Sequence, residues 1–168
     1  EVLASEIDDA KIAVRLIKTL ARAAGPSGMV AGQMADLQNA GSDATPETLM
    51  YIHTNKTARM FEAAAAMGAI AAGGTQQQIE LHRSYGLKIG LAFQIADDIL
   101  DLSATSEELG KTAGKDSQQG KITYPAIVGI EKSKAIAAKL TKGAISQLSQ
   151  FGSQADILRQ LATQLLER

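Results

Sequence analysis

The stretch YGLKIGLAFQIADDILDL, residues 85–102, decides how the chain is read. Its apolar residues fall on nearly every side of a helix, which predicts a central, enclosed helix rather than one lying on a surface. Yet it carries Asp97, Asp98 and Asp101 near its end. Asp97 and Asp101 stand one turn apart, Asp98 sits beside them, and Gln94 precedes Asp98 by one turn, so all four share a helix face. Three like charges at this spacing repel by about 0.2 to 0.5 kcal/mol per exposed pair, and by more when desolvated. A cation is expected to balance them. Carboxylate oxygens are hard ligands, and a few Asp on one helix together with substrate phosphates suit Mg²⁺ better than Ca²⁺ or a softer metal.

Outward from that helix the pattern is helical throughout. Alanine supplies 29 of 168 residues, while six aromatics and three prolines leave little strand propensity, so the fold class is all-α. Leu3, Ile7, Ala10, Val14, Ile17 and Ala21 recur at three- and four-residue steps, predicting one helix over residues 2–23 with this stripe facing the core, stopped by Gly25-Pro26. A short segment follows over residues 28–38. Thr45 reads as an N-cap with Pro46 in the first turn, opening a helix to residue 72 that Gly73-Gly74 closes. The central helix spans 75–102. Residues 103–122 form a polar Gly- and Lys-rich connection, and helices are expected at 124–139, 142–151 and 154–167.

Composition excludes several functions. Seventeen Lys and Arg against eighteen Asp and Glu give a net charge of −1, so no basic field attracts nucleic acid or an anionic membrane. With no cysteine, disulfides, thiolate catalysis and Cys-based metal sites are ruled out, and the expected compartment is cytoplasmic. No membrane span and no secretory signal is read in the chain. Residues 1–168 read as one helical domain.

Two further elements carry potential chemistry. In HTNKTARM, His53, Lys56 and Thr57 fall on one helical side; a lysine beside a hydroxyl can grip phosphate, while a lone histidine is more often structural. The long connection holds Lys111, Lys115 and Lys121 among Gly110, Gly114 and Gly120, suited to fold over anions held by a metal. Acids for a divalent cation, lysines for phosphate oxygens and an apolar helix beside both point to a diphosphate ester with an apolar tail.

FQIADDILD, followed by LGK and GKDSQQGKITYP, closely resembles the second aspartate-rich region of the bacterial short-chain polyprenyl diphosphate synthases. IHTNKTARMFEAAAAMGAIAAG resembles that family's lysine-threonine helix, and GMVAGQMADL its glycine-glutamine-aspartate-leucine segment. The resemblance implies an isoprenoid-synthase helical bundle, usually homodimeric, that condenses an allylic diphosphate with isopentenyl diphosphate, with farnesyl diphosphate the expected product. It implies Mg²⁺ held by Asp97, Asp98 and Asp101, diphosphate contacts from Lys56, Lys111 and Lys121, and Thr57 and Gln94 beside the reacting carbons. Gln33 and Asp36 would line the substrate cavity or support it, and Phe93, Gly86 and Gly90 would shape its wall, although core packing explains those three equally well.

The family's first aspartate-rich motif, the arginine pair after it and the upstream residues for isopentenyl diphosphate have no counterpart in this sequence. The chain is therefore expected to be the C-terminal part of such a synthase and inactive alone. The alternatives are a non-catalytic partner subunit that binds diphosphate and a helical scaffold whose acids merely face solvent.

Overall fold

The computed structural model describes residues 2–41, 45–103 and 123–167, and among them every regular element is a helix. The chain runs α1 Val2–Ser5, α2 Ala10–Ala24, α3 Met29–Asn39, α4 Pro46–Ile52, a π-helical turn His53–Ala58, α5 Arg59–Ala71 and α6 Gln76–Ser103. Beyond the connection come α7 Tyr124–Val128, α8 Ile130–Gln147, a 3₁₀ turn Ser153–Ala155 and α9 Asp156–Leu166.

The capping signals act as their chemistry requires. Thr45 Oγ1 accepts the Thr48 amide at 3.3 Å, with Pro46 in the first turn. At the other end Gly73 takes φ +71°, its N–H bonds Ile70 O at 3.0 Å and the Gly74 N–H bonds Ala69 O at 2.9 Å, a Schellman closure that needs a residue free of Cβ strain. Asp9 overturns the expectation of one helix over residues 2–23. Its carboxylate accepts the amides of Lys11 at 2.8 Å and Ile12 at 3.2 Å, which starts a new helix and cuts α1 off from α2. The stripe also divides. Leu3 and Ile7 pack beside the cluster of Leu16, Ala66, Ala69, Ile70 and Ile79, whereas Val14 and Ile17 are exposed and Ala13, Leu16 and Ala23 are the buried residues of α2.

The C-terminal boundaries differ too. Gly129, at φ +84°, separates the short α7 from α8, and α8 then runs unbroken past Gly143. At Gly143 a Cβ would meet only the flexible end of Lys88 at 3.3 Å, so nothing local stops the helix there.

α6 is the axis. α5 and the π-turn pack along one side of it and α8 along another, with buried Ile79, Tyr85, Ile89, Leu91, Ala92 and Ile95 spread over its length. One core cluster joins Tyr85 and Ile89 to Ala144, Leu148, Ala155 and Ala162; another joins Ile95 to Leu49, Tyr124 and Ala137. The Tyr85 hydroxyl donates to Leu158 O at 2.7 Å and ties α9 to the axis.

Gly86 and Gly90 let α6 approach its neighbours. A Cβ on Gly86 would stand 2.4 Å from Phe61 O, and one on Gly90 would stand 2.6 Å from Ala58 Cα. Close helix packing thus requires glycine at both positions, and Phe93 lies against Phe61 with ring centroids 5.4 Å apart. Gly90→Ala is expected to destabilise the fold by about 1–3 kcal/mol through overpacking. Gly68→Ala, with nothing near its Cβ position, should stabilise it by roughly 0.5–1 kcal/mol, and urea unfolding of the two variants checks both signs.

Candidate diphosphate-binding site

The π-turn widens the helix between α4 and α5 at HTNKTA, and it aims neighbouring side chains at different helices. Thr57 faces α6: its hydroxyl donates to Gln94 Oε1 at 2.9 Å. Lys56 faces α3 instead, its ammonium 2.7 Å from Asp36 Oδ2. The single helical side expected for His53, Lys56 and Thr57 is thus split, because π-helical winding departs from the 3.6-residue period. Gly32 makes the Lys56 contact possible. A Cβ there would fall 2.1 Å from the Lys56 amide nitrogen, so only glycine allows α3 to lie on the π-turn with Asp36, one turn later, reaching Lys56.

Asp98 departs most from its expected role. Its side chain is buried, and each oxygen is engaged: Gln94 Nε2 donates to Oδ1 at 3.2 Å, and the Tyr124 backbone N–H donates to Oδ2 at 2.9 Å. His53 Nε2 lies 3.4 Å from the same Oδ2, and the His53 ring stacks on Tyr124 at 5.6 Å. This carboxylate fastens the π-turn, α6 and α7 together. Burial holds the His53 imidazole down at about 4, Asp36 pulling the other way and Lys56 adding to the depression. His53 is therefore neutral near pH 7. Burial first, and the Asp98 charge second, push the Tyr124 phenol above its ordinary value.

The remaining acids differ from Asp98 in exposure. Asp97 is exposed and Asp101 half-buried on the next turn of the same helix. Among the described residues no three His, Cys, Asp or Glu side chains converge on a metal position. Two carboxylates with the rest of the shell left to water and phosphate oxygens is nonetheless the way Mg²⁺ is commonly held, and Asp97 and Asp101 fit that donor set. Asp98, buried and with each oxygen accepting one protein donor, is set deeper in the fold than either. Gln33 is exposed on α3. Lys111 and Lys121, like Lys115 and the rest of the Gly- and Lys-rich connection, lie outside the described residues.

Sequence reasoning missed the Lys56–Asp36 pair and the fastening of His53 and Tyr124 to Asp98. A buried run containing one carboxylate too many for a metal was the available signal, since an isolated charge in such surroundings demands donors. No pattern in HTNKTA announced the π-turn.

A helical bundle around α6, with Thr57 and Gln94 joined beside a two-turn acidic face, defines a protein of the all-α isoprenyl diphosphate synthase fold. A model of the polyprenyl synthetase family matches residues 2–163, and the chain belongs to that family. Geranylgeranyl pyrophosphate synthase 11, chloroplastic, of Arabidopsis thaliana is 49% identical over 143 residues, which are 83% of this chain and 40% of that protein. The chain thus spans about two-fifths of the length of the curated relatives it matches. Among solved structures, an FPP/GFPP synthase from Zymomonas mobilis superposes with a TM-score of 0.85 at 33% identity, covering 98% of this chain and 55% of the other. A geranyltransferase from Helicobacter pylori, complexed with magnesium and isoprenyl diphosphate, gives a TM-score of 0.80 at 31% identity, covering 98% and 54%.

The His53 depression has a direct consequence for stability. Above its ordinary value of 6.5 the imidazole is neutral in both folded and unfolded chains and nothing is lost. Between 6.5 and about 4 only the unfolded chain takes up the proton, so stability falls as pH drops through that window, by up to about 3 kcal/mol in total. Urea unfolding of the parent and of His53→Asn, compared across these pH values, should show the parent with the steeper decline by close to one proton. Equal slopes would mean that His53 is not buried neutral.

Proposed function

We propose that these residues form the diphosphate-binding half of a short-chain prenyl diphosphate synthase, which joins an allylic diphosphate to isopentenyl diphosphate and yields a farnesyl or geranylgeranyl product. The observation that carries this reading is the Thr57–Gln94 hydrogen bond beside the outward Asp97 and Asp101. Membership of the family supports the reaction class, and the farnesyl and geranylgeranyl synthases among the relatives support a short-chain product.

Each residue contributes a separate part. Asp97 and Asp101 hold Mg²⁺, which when bound supplies positive charge for the departing diphosphate. Lys56, kept in place by Asp36, offers its remaining ammonium protons to diphosphate oxygens; the three donors of a lysine allow both partners at once. Thr57 gives its proton to Gln94, so what its oxygen presents to a neighbour is lone-pair density. Gln94 is fixed in orientation by that bond and by its amide's donation to Asp98. Oxygen dipoles held rigidly in this way stabilise positive charge developing on the allylic carbons without reorganising. The apolar α6 alongside limits access of water to that charge. Lys111 and Lys121 are assigned to contact the diphosphate oxygens, on the resemblance of their motif to the family's. The working protein is a homodimer.

Residues 1–168 contain one aspartate-rich motif, and on their own they are expected to bind diphosphate without condensing the two substrates. Asp97→Ala combined with Asp101→Ala should abolish Mg²⁺-dependent diphosphate binding, measured by calorimetry. In the full-length protein the double variant should lower turnover by about 100-fold or more. Circular dichroism should show that the double variant keeps its helicity. Condensation at the parent rate by the double variant would overturn the assignment, as would a parent protein that binds no diphosphate with Mg²⁺ present.

A further inference from the structure

A second concave site lies away from the acidic face, between α2 and the turns where α5 and α6 begin. Its volume is about 480 Å³, within the range of small-molecule sites. Arg15, Lys18, Arg22, Arg59 and Arg83 line it against a single lining carboxylate, Glu62. This concentration does not reflect a basic protein, since the chain as a whole carries a net charge of −1.

The charges are arranged in two tiers. At the floor, Glu62 is largely buried and shared by two guanidinium groups, Arg59 Nη1 at 2.8 Å and Arg83 Nη1 at 3.3 Å; Arg83 also reaches Glu80 on the rim at 3.5 Å. Glu62 thus orients both guanidinium groups, and the unbalanced positive charge of the cleft sits on α2. Above it, Arg15, Lys18 and Arg22 recur at three- and four-residue steps along one face of α2. Arg15 leans on Gln76 Oε1 at 3.4 Å, and among the described residues none of these three has an ion-pair partner. Ile70 and Ile79, both buried, supply an apolar patch that lowers the local dielectric and strengthens the cations' hold on an anion.

We propose that this cleft is a second anion site, which takes a multiply charged phosphate compound without a metal. Guanidinium groups match phosphate oxygens in paired fashion, and several cations converging on a pocket select a polyphosphate over a single carboxylate. Arg59 lies one helical turn from Lys56, but the rest of the cleft stands well away from the acidic pair assigned above. Arg83 and Asp97 are fourteen residues apart on one helix, about 21 Å along its axis, beyond the reach of one diphosphate. Two sources offer the same chemistry: inorganic diphosphate, the co-product of the proposed condensation, and a nucleoside triphosphate.

The test uses the full-length protein and calorimetric titration with inorganic diphosphate and, separately, with ATP, each in EDTA and each in Mg²⁺. Saturable binding in EDTA is expected, weakening as salt is raised, reduced at least tenfold by Lys18→Ala with Arg22→Ala and retained by Asp97→Ala with Asp101→Ala. Both altered cations are solvent-exposed on α2, so the variant should keep its helicity. Binding of diphosphate in EDTA makes the released co-product the source; binding of ATP alone makes it a nucleotide. The proposal is overturned if neither probe binds in EDTA, or if that binding survives the loss of Lys18 and Arg22. Failure of the synthase reading looks different: Mg²⁺-dependent binding would then be absent or insensitive to Asp97 and Asp101, whatever the cationic cleft does.

Discussion

A carboxylate sealed from water organises the functional end of this molecule. A charged group so buried is stable only when its oxygens receive donors, and leaving it unpaired would cost several kcal/mol. Asp98 finds them on two different elements, the Gln94 amide one turn back on its own helix and the backbone N–H of Tyr124 at the start of α7, with His53 of the π-turn close by. That need fixes more than one side chain. It fixes the start of α7 against α6, since the Tyr124 amide must arrive at Oδ2. It also sets the orientation of the Gln94 amide, whose nitrogen goes to Asp98 and whose oxygen is thereby left for Thr57. Geometry at the reacting end follows from a requirement of solvation.

Close backbone approach is the second constraint, and it acts through glycine. Gly90 lets α6 lie against Ala58 at the end of the π-turn, which brings Gln94, one turn further on, within reach of Thr57. Gly32 does the same for α3, bringing Asp36 to Lys56. Each is a contact in which a methyl group would meet backbone rather than a yielding side chain. Packing and chemistry are therefore coupled: the distances that align the oxygens of Thr57 and Gln94 exist because the helices carry no Cβ at these crossings.

How much of this was legible in the sequence depends on the range of the interaction. Features decided within one turn could be read directly: the Thr45 cap with Pro46, the Gly73-Gly74 closure, and the enclosed helix ending in DDILD. Features decided by competition between local and distant groups could not. The Asp9 side chain captures two amides and ends α1 where the apolar spacing alone continues, and α8 passes Gly143 because tertiary contacts outweigh its modest propensity cost. The stripe Val14 and Ile17 has helical period but faces outward, since period identifies a face without saying what covers it. In the candidate site, the run of acids was visible from residue type and spacing, whereas Thr57 and Gln94 were brought together only by the resemblance to a known family. The separation of Asp98 from Asp97 and Asp101 was not visible, because adjacent aspartates look alike until one is placed in the core.

That separation also resolves the electrostatic difficulty posed by three clustered acids. If all three faced one point, the repulsion of a triply charged cluster would oppose folding whenever no cation was present. Turning Asp98 inward, onto backbone and amide donors, removes one charge from the face and converts it into a structural tie. Asp97 and Asp101 remain one turn apart, Asp97 exposed and Asp101 half-buried, and the exposure of Asp97 lets water screen their mutual repulsion. The residual repulsion is relieved when a divalent cation arrives, so it favours binding while costing the empty protein little. Helical spacing alone would have grouped the three acids; burial sets Asp98, tied into the fold, apart from the exposed Asp97 and the half-buried Asp101.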